Sequence, residues 1–259
     1  MNNSVTTFYD DLAGDYHLIF KDWDEAIIGQ SAVLDNLIRR QSNLHPPLRL
    51  YDCSCGIGTQ ALGLAARGYQ VHATDLSPKS VARAQAEASK RGLDMTFGVA
   101  DFRTLATQVD GEFDVVIACD NSLPHLLTDE ELEQAAANIY AKVAPGGMLL
   151  ASIRDYDAIL QEKPTSVPIR VNGEGENRRV VFQVWDWLPE SDHYTVNHFI
   201  LGQPEQDQWA MKYHVTTYRA LTRDTMSNAF AQSGYTAIEW HMPEDSGYYQ
   251  PIMTARRNG

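Results

Sequence analysis

The stretch that decides the fold is "LYDCSCGIGTQALGLAARGYQVHATDLSP", from Leu50 to Pro78. It has the pattern of a buried strand, a turn with Gly56 and Gly58, a helix, and a second strand that ends at Asp75. Glycines let a turn close tightly and let a ligand approach the main chain, where the next helix presents unpaired N–H groups. The stretch therefore predicts a site for a nucleotide-like ligand.

Strands and helices continue to alternate beyond this stretch. Apolar runs such as "MTFGVADF" and "FDVVIACDN" alternate with helical runs such as "PKSVARAQAEASKRG" and "DEELEQAAANIYAKVAPGG". Gly68 and Gly92 stand where helices should end, and Ser77 and Thr128 stand where helices should begin. This alternation predicts an α/β fold, with a parallel sheet covered by helices on both faces.

The second half of the chain has a different pattern. The runs "RRVVFQVWDWL", "HYTVNHFILG" and "QWAMKYHVTTYRAL" are successive β segments with polar or Pro/Gly-bearing links, which indicates an antiparallel region. A helix over 222–233 and the strands "TAIEWHM" and "QPIMTARR" are expected to return to the main sheet. We therefore divide the chain into a helical segment and candidate lid (1–47), a ligand-binding core (48–157), an antiparallel insertion (158–220), and a helix and strands that complete the core sheet (221–259).

Composition limits the partners and the compartment. The chain has 259 residues with 34 acidic against 21 basic side chains, a formal charge of -13 that repels nucleic-acid phosphates and anionic lipids. It lacks an apolar run of about 18 residues and the pattern of a signal peptide. We expect no nucleic-acid or membrane partner and a cytoplasmic location; oligomers remain compatible with the sequence. Cys53, Cys55 and Cys119 lack the partners of a zinc site, so we expect buried thiols and no metal.

The glycine turn suits two cofactors. The run from Gly56 to Ala61 satisfies the loose dinucleotide pattern G-x-G-x-x-G/A, and Asp75 lies where a ribose-binding acid belongs. NAD therefore stays open on this motif. Asp52, at the end of the first strand, favours S-adenosylmethionine instead, because a negative charge there would repel a pyrophosphate and help to organise a sulfonium-bearing ligand.

Two further motifs favour S-adenosylmethionine. "VADF" puts Asp101 and Phe102 at the end of the third strand, an acid that can accept from an exocyclic amine beside a ring that can stack. "AKVAPGGMLLAS" supplies the helix, the Gly146-Gly147 turn and the strand that should follow the fourth unit of the sheet.

Taken together, "LYDCSCGIGTQALGLA", "HATDLSP", "VADF", "FDVVIACDNSLPHL" and "VAPGGMLLAS" resemble class I S-adenosylmethionine-dependent methyltransferases over roughly the first 155 residues. The resemblance implies a Rossmann-like seven-stranded sheet with helices on both faces, and an inserted antiparallel β region on the substrate side. It implies that Asp75 accepts from the ribose hydroxyls, that Asp101 and Phe102 hold adenine, and that Ser54 and Gly56 line the methionine part. Leu76 and the backbone of Cys119 complete this expected set.

Two short phrases resemble a narrower group. "CDNSLPHL" and "IRDYD" are similar to stretches of glycine and glycine/sarcosine N-methyltransferases, and so is "YHLIFKDWD" near the start. The resemblance implies that Arg154 grips the acceptor carboxylate and that Asn121 adds a hydrogen bond, which suits a small zwitterion. Tyr194 is a further expected contact, and Tyr218 and Tyr249 are additional candidates. Asn121 and Tyr194 would position the amine; we assign no catalytic acid or base, and we interpret His125 as structural because the amine can lose its proton to water.

One departure concerns the cofactor carboxylate. In the glycine-methylating group an arginine follows the "DW" stretch by about six positions, whereas this sequence has Gly29 and Gln30 there. Tyr16, Trp23 and Gln30 are the candidates to replace it.

The leading hypothesis is therefore an N-methyltransferase that moves a methyl group from S-adenosylmethionine to glycine, sarcosine or a close small amine by direct displacement. The alternatives are another small-molecule N- or O-methyltransferase, a NAD-dependent oxidoreductase, and a cofactor sensor without turnover.

Overall fold

The structure, a computed structural model, describes residues 5–41, 44, 47–205 and 208–259. Positions 1–4, 42, 43, 45 and 46 of the predicted N-terminal segment, and 206 and 207 of the predicted insertion, lie outside the described residues. The helices are α1 (Val5–Leu12), α2 (Trp23–Gln41), α3 (Thr59–Ala66), α4 (Pro78–Lys90), α5 (Leu105–Gln108), α6 (Asp129–Tyr140), α7 (Tyr156–Glu162), α8 (Arg223–Gln232) and α9 (Pro243–Ser246). The strands are β1 (Arg49–Asp52), β2 (Gln70–Asp75), β3 (Met95–Val99), β4 (Phe113–Ala118), β5 (Val143–Ser152), β6 (Arg170–Asn172), β7 (Arg179–Trp187), β8 (His193–Glu205), β9 (Gln208–Arg219), β10 (Thr236–His241) and β11 (Ile252–Arg256).

The main sheet has seven strands in the order β10-β11-β5-β4-β1-β2-β3. Its strands are parallel except at β11, which runs antiparallel to both β5 and β10. This arrangement confirms the predicted α/β sheet. The strand order changes direction at β1, whose neighbours are β2 and β4, and open sheets of this kind bind ligands outside the carboxyl ends of the strands at such a point.

Both faces of the main sheet are covered, as the continuous apolar strands predicted. Alternate residues of a strand point to opposite faces, so Tyr51 and Val116 pack with α6 and α8, whereas Leu50 and Val115 pack with α2 and α3. All four side chains are buried. The two apolar clusters hold the strand ends rigidly beneath the site.

The predicted antiparallel region forms a second sheet in the order β6-β7-β8-β9. The expected segments are β7, β8 and β9, each paired antiparallel to the next. The additional strand β6 pairs with β7 over only Arg170–Asn172. A strand this short carries no readable alternation, which explains why the pattern did not reveal it.

The N-terminal helices join the two sheets. Phe8 and Leu12 of α1 pack against Val181 and Ile200 of the second sheet. The helix α2 approaches α3 so closely that a Cβ on Gly63 would lie 2.5 Å from the Ile27 carbonyl oxygen. The predicted N-terminal segment is therefore integrated into the fold over its described residues.

Local signals placed most element ends correctly. Gly68 and Gly92 have φ values of +93° and +65°, and Ser77 accepts a hydrogen bond from the backbone N–H of Ser80 at the start of α4. The start of β5 was predicted wrongly. The strand begins at Val143, because the extended backbone already pairs there with Phe113, ahead of the expected glycine turn.

Candidate functional site

Two adjoining cavities lie at the carboxyl ends of the main-sheet strands. We call the one lined by the turn at 53–57 and by the residues that follow β2, β3 and β4 the inner cavity; its volume is about 200 Å³. The outer cavity, about 1040 Å³, lies between the N-terminal helices, the second sheet and the segment 243–251. The same walls contribute to both, since Tyr9, Tyr16 and Asp120 line each of them.

The glycine turn is tied to the end of β2. Gly56 has a φ of +51°, and its N–H donates to Asp75 Oδ2 over 2.8 Å. Asp75 Oδ1 accepts from the backbone N–H of Ser77 over 2.9 Å. Burial raises the pKa of Asp75, while these backbone hydrogen bonds act in the opposite direction. The carboxyl group therefore organises the turn and also faces the inner cavity.

The far wall of the inner cavity contains Asp101 and Phe102. Asp101 forms an ion pair of 2.6 Å with Arg103, which also contacts Glu131 at 2.6 Å. Burial raises the pKa of Asp101, but hydrogen bonds and charge from Arg103 outweigh it, so the net shift is downward. Asp101 is thus held as an ionised acceptor beside an aromatic ring.

The structure contradicts the role expected of Asp52. Asp52 is 1% exposed, and the residues that line the two cavities do not include it. Burial raises the pKa of Asp52 to about 8, only partly opposed by the hydrogen bond from the Ser54 N–H. Burial therefore favours the neutral form of this carboxyl group, and Asp52 does not face either cavity.

Arg154 is the partly buried cation of the outer cavity, whereas Lys21 and Arg170, which also line it, are exposed. Its guanidinium donates to the Tyr194 hydroxyl over 2.9 Å and to Gln183 Oε1 over 3.3 Å. It also lies over the rings of Trp185 and Tyr218, with 5.0 and 5.4 Å to the ring centroids. Within the described parts of the chain, no carboxylate forms an ion pair with Arg154; the neighbouring Asp155 pairs with a different arginine.

Asn121 connects the loop after β4 to Arg154. Its Oδ1 accepts the backbone N–H of Arg154 over 3.0 Å, whereas its Nδ2 is buried and has no hydrogen-bond partner in the part of the chain that is described. Asn121 and the preceding Asp120 both adopt left-handed backbone, with φ values of +65° and +64°. Few non-glycine residues adopt this conformation, which often marks a functional constraint.

Two residues that the sequence predicted to contact a ligand, Tyr194 and Trp23, do not line either cavity. Tyr194 is fully buried, and its hydroxyl lies between Arg154 and Tyr156, 2.9 Å from each. It therefore orients the guanidinium from behind. Trp23 packs in the core, and its Nε1 donates to Thr59 Oγ1 over 2.9 Å. It therefore holds the start of α3, directly after the glycine turn.

The remaining predicted residues lie on the cavity walls. The inner cavity is lined by Tyr16, Ser54, Gly56, Asp75, Leu76, Asp101, Phe102 and Cys119. The outer cavity is lined by Tyr16, Gln30, Asn121, Arg154, Tyr218 and Tyr249. Tyr16 therefore lies on the wall that the two cavities share.

Sequence reasoning missed three wall residues. Tyr9 donates to or accepts from His125 Nε2 over 2.9 Å, and burial lowers the pKa of His125 to about 3, which keeps this imidazole neutral. Gln60 donates to Gln30 Oε1 over 2.7 Å near the position of the missing arginine. Asp120 was passed over although it directly precedes Asn121. Its position in the "CDNSLPHL" motif was the available signal.

None of the described helices is long and apolar enough to cross a membrane. No group of three or more His, Cys, Asp or Glu side chains among these residues is arranged to hold a metal ion.

Comparison with known proteins gives a partial match in sequence. Residues 50–147 match the methyltransferase domain family. A glycine/sarcosine N-methyltransferase of Parasynechococcus marenigrum (strain WH8102) is 33% identical over 117 residues, which cover 45% of this chain and 42% of that relative. The match therefore spans less than half of the relative's length.

Solved structures match over almost the whole chain. An S-adenosylmethionine-dependent methyltransferase from Clostridium acetobutylicum has a TM-score of 0.75 at 14% identity, with 97% of this chain and 99% of that chain covered. An amino pentose methyltransferase from Micromonospora echinaspora has a TM-score of 0.73 at 20% identity, with 95% of each chain covered. At these identities the likeness concerns the fold. Residues 50–147 therefore match a methyltransferase domain, and the chain as a whole has the fold of solved S-adenosylmethionine-dependent methyltransferases.

Proposed function

We propose that this protein is an N-methyltransferase that transfers a methyl group from S-adenosylmethionine to a small amino acid such as glycine or sarcosine. The observation that carries this proposal is Arg154, a cation without a carboxylate partner among the described residues, on the wall of a cavity that adjoins the inner one. A partly buried guanidinium favours an anionic ligand, and a carboxylate matches its donor geometry.

The inner cavity suits the cofactor. The Ser54 hydroxyl is buried without a partner in the described chain, and Gly56 leaves room beside the turn, where an added Cβ would meet no atom within 4 Å. Asp75 would accept from the ribose hydroxyls, and Asp101 and Phe102 would hold the adenine. When bound there, S-adenosylmethionine supplies an electrophilic methyl group on a positively charged sulfur.

The task of the protein is then mainly to position the acceptor. A neutral amine needs its lone pair in line with the bond that breaks, so orientation supplies much of the rate. Arg154 would fix the acceptor carboxylate, and the free Nδ2 of Asn121 would donate a second hydrogen bond. Tyr16 and Tyr218, on the walls of the outer cavity, would keep water from the amine.

The decisive experiment is transfer of isotopically labelled methyl to glycine and sarcosine, with the Arg154→Ala variant beside the wild type. Loss of a charge-assisted contact should cost about 2–4 kcal/mol, equivalent to a rise in acceptor KM of about 30-fold or more. Binding of S-adenosylhomocysteine should not change. Arg40→Ala is the matched control, because Arg40 is an exposed arginine on α2 outside both cavities. Absence of label on any amino acid rejects the substrate; an unchanged KM in Arg154→Ala rejects the proposed contact.

A second candidate is N-methylation of a larger amine. The outer cavity, at about 1040 Å³, is far larger than a single glycine requires, and one solved relative in fold acts on an amino pentose. Amino sugars therefore belong in the same assay. Label that enters an amino sugar and not an amino acid would favour this candidate.

The two remaining rivals are separated by binding and turnover. A methyltransferase should be stabilised against heat by S-adenosylhomocysteine and not by NAD, since only a ligand that binds the folded state raises its stability. A sensor would show the same stabilisation without labelling any acceptor.

A further inference from the structure

We propose that Asp120 holds the amine of the acceptor and takes up its proton before the methyl group is transferred. This inference rests on the proposed function, and it names a residue that the resemblance to glycine methyltransferases did not supply. Four features of the structure support it: location, backbone conformation, an unpartnered oxygen and charge.

The location is the junction of the two cavities. Asp120 lines the inner cavity and also the outer one. A methyl group that leaves a ligand in the inner cavity for an acceptor in the outer cavity must pass through this junction. A side chain there can reach the reacting nitrogen.

The backbone at Asp120 is held in a left-handed conformation. Its N–H donates to Ser152 Oγ over 2.9 Å, and the Asn121 N–H donates to the Ser152 carbonyl over 3.2 Å. Ser152 Oγ in turn donates to Gln250 Oε1 over 3.1 Å. Two consecutive non-glycine residues with positive φ are costly, so surrounding structure must maintain them. The side chain of Asp120 is thereby fixed in direction.

The carboxyl group has capacity for a ligand. Asp120 Oδ1 is buried, and none of the described residues donates a hydrogen bond to it. Buried polar atoms nearly always have a partner, so an orphaned carboxylate oxygen beside a cavity indicates a missing donor. An ammonium group is the donor that a carboxylate binds best.

Asp120 and Arg154 are complementary to a zwitterion. Both line the outer cavity. They are linked through Asn121, which follows Asp120 in the sequence and accepts the backbone N–H of Arg154. With the acceptor carboxylate at Arg154, its amine is directed toward Asp120, because Asp155, the other acid that lines this cavity, is paired with Arg223. The pair therefore orients an amino acid with its nitrogen toward the inner cavity.

The charge of Asp120 depends on its surroundings. Burial raises the pKa of Asp120 to about 6, while the nearby Gln60 amide and the charge of Arg154 act to lower it. The folded-state pKa lies above the ordinary value, so the group is protonated at pH 5 and ionised at pH 7. The other titratable groups that interact with it are Tyr16, Asp52, Cys119, Tyr218 and Tyr248.

The proton and electron balance is simple. The acceptor enters as an ammonium ion, and one proton passes from its nitrogen to the ionised Asp120. The freed lone pair forms the new N–C bond, and the electron pair of the breaking C–S bond stays on sulfur, which becomes a neutral thioether. Asp120 then releases its proton to water. The neighbouring His125 is a weaker candidate for the same step, because its pKa is lowered to about 3 and its Nε2 is engaged by Tyr9.

The test compares Asp120→Asn with the wild type. Asparagine tolerates left-handed backbone, so the variant should fold. At pH 7 we expect kcat/KM to fall about 100-fold, the usual size of a lost general base. The wild-type kcat/KM should decrease as the pH drops below about 6, and the variant should lack this break. The difference in kcat/KM between the wild type and the variant should become smaller at high pH, where the amine loses its proton to water without Asp120.

A binding measurement supplements the kinetics. In the presence of S-adenosylhomocysteine, glycine should bind Asp120→Asn at least tenfold more weakly than the wild type by calorimetry. Asp110→Asn, the same chemical change at an exposed site outside both cavities, should match the wild type in every measurement.

The outcomes distinguish the two proposals. If the wild type methylates no amine, the proposed function fails and the role of Asp120 fails with it. If the wild type methylates an amine, but Asp120→Asn keeps both the break near pH 6 and the acceptor affinity, only the role of Asp120 is refuted.

Discussion

The two cavities are built in different ways. The inner cavity is formed mostly by residues at or just after the carboxyl ends of successive strands of one sheet, namely 53–57, 59, 60, 75, 76, 100–103, 119, 120, 122, 125 and 126. The outer cavity combines side chains from α1, α2, the second sheet and the segment 243–251. A site of the first kind can be read from motifs. A site of the second kind depends on how distant segments pack, and its specificity can change without any change in the cofactor side.

The charges of the two cavities also differ. Acidic groups outnumber basic ones on the inner cavity, which is lined by Asp75, Asp101, Asp120 and Arg103. Basic groups outnumber acidic ones on the outer cavity, which is lined by Lys21, Arg154, Arg170, Asp120 and Asp155. Substitutions on the two sides should therefore separate cofactor affinity from acceptor affinity.

Of the three substitutions Asp75→Ala, Asp52→Asn and Asn121→Gly, the first should have the largest effect, and it concerns the cofactor side. Asp75→Ala removes the acceptor of the Gly56 and Ser77 N–H groups together with the proposed ribose contact. We expect S-adenosylhomocysteine to bind about 100-fold more weakly, a cost of about 3 kcal/mol. Thermal-shift titration measures this.

The matched control for Asp75→Ala is Asp114→Ala. Asp114 also accepts a backbone N–H, from Arg49 over 2.7 Å, and it lies outside both cavities. Equal losses of ligand affinity in the two variants would show a general destabilisation of the fold. They would contradict the assignment of Asp75 to the ribose.

A smaller effect, on the stability of the folded protein, should show whether the Asp52 carboxyl group is protonated. Burial raises the pKa of Asp52 to about 8, above its unfolded value, so this group alone lowers the stability of the folded wild type progressively as the pH rises from about 4 to 8. Asp52→Asn has no such proton to lose. We expect the variant to become more stable than the wild type as the pH rises through this range, by about 2 kcal/mol at pH 7 after allowance for relaxation.

Urea unfolding at several pH values measures this difference. S-adenosylhomocysteine affinity should remain unchanged, because Asp52 does not line the inner cavity. A stability difference that is independent of pH would mean that Asp52 is ionised in the folded state.

The smallest of these three effects is expected for Asn121→Gly, on the acceptor side. Asn121→Gly keeps the left-handed backbone but removes the hydrogen bond to the Arg154 N–H and the free Nδ2 donor. We expect acceptor KM to rise about tenfold, or about 1.4 kcal/mol, with cofactor affinity unchanged. Ala237→Gly, another left-handed residue replaced by glycine but exposed on β10, is the control. A change in cofactor affinity alone would show that the two sides are not separable at this loop.

The sequence by itself determined the α/β architecture and most of the inner cavity. Strand and helix periodicity, helix ends at Gly68 and Gly92, and the turn at Gly56 are properties of short segments, so they are readable without knowledge of distant contacts. Because parallel strands end at the same edge, residues just after them had to meet. This is why the sequence could predict that Asp75, Asp101 and Phe102 lie close together, as they do on the wall of the inner cavity.

Tertiary structure alone decided the outer cavity and the protonation of buried acids. Tyr194 lies 40 positions from Arg154, and only the packing of the second sheet brings its hydroxyl behind the guanidinium. The raised pKa of Asp52 and the lack of a hydrogen-bond donor to Asp120 Oδ1 among the described residues are likewise consequences of burial. A pKa and a free hydrogen-bonding group depend on all the neighbours of a side chain in space, and a linear motif records only its neighbours along the chain.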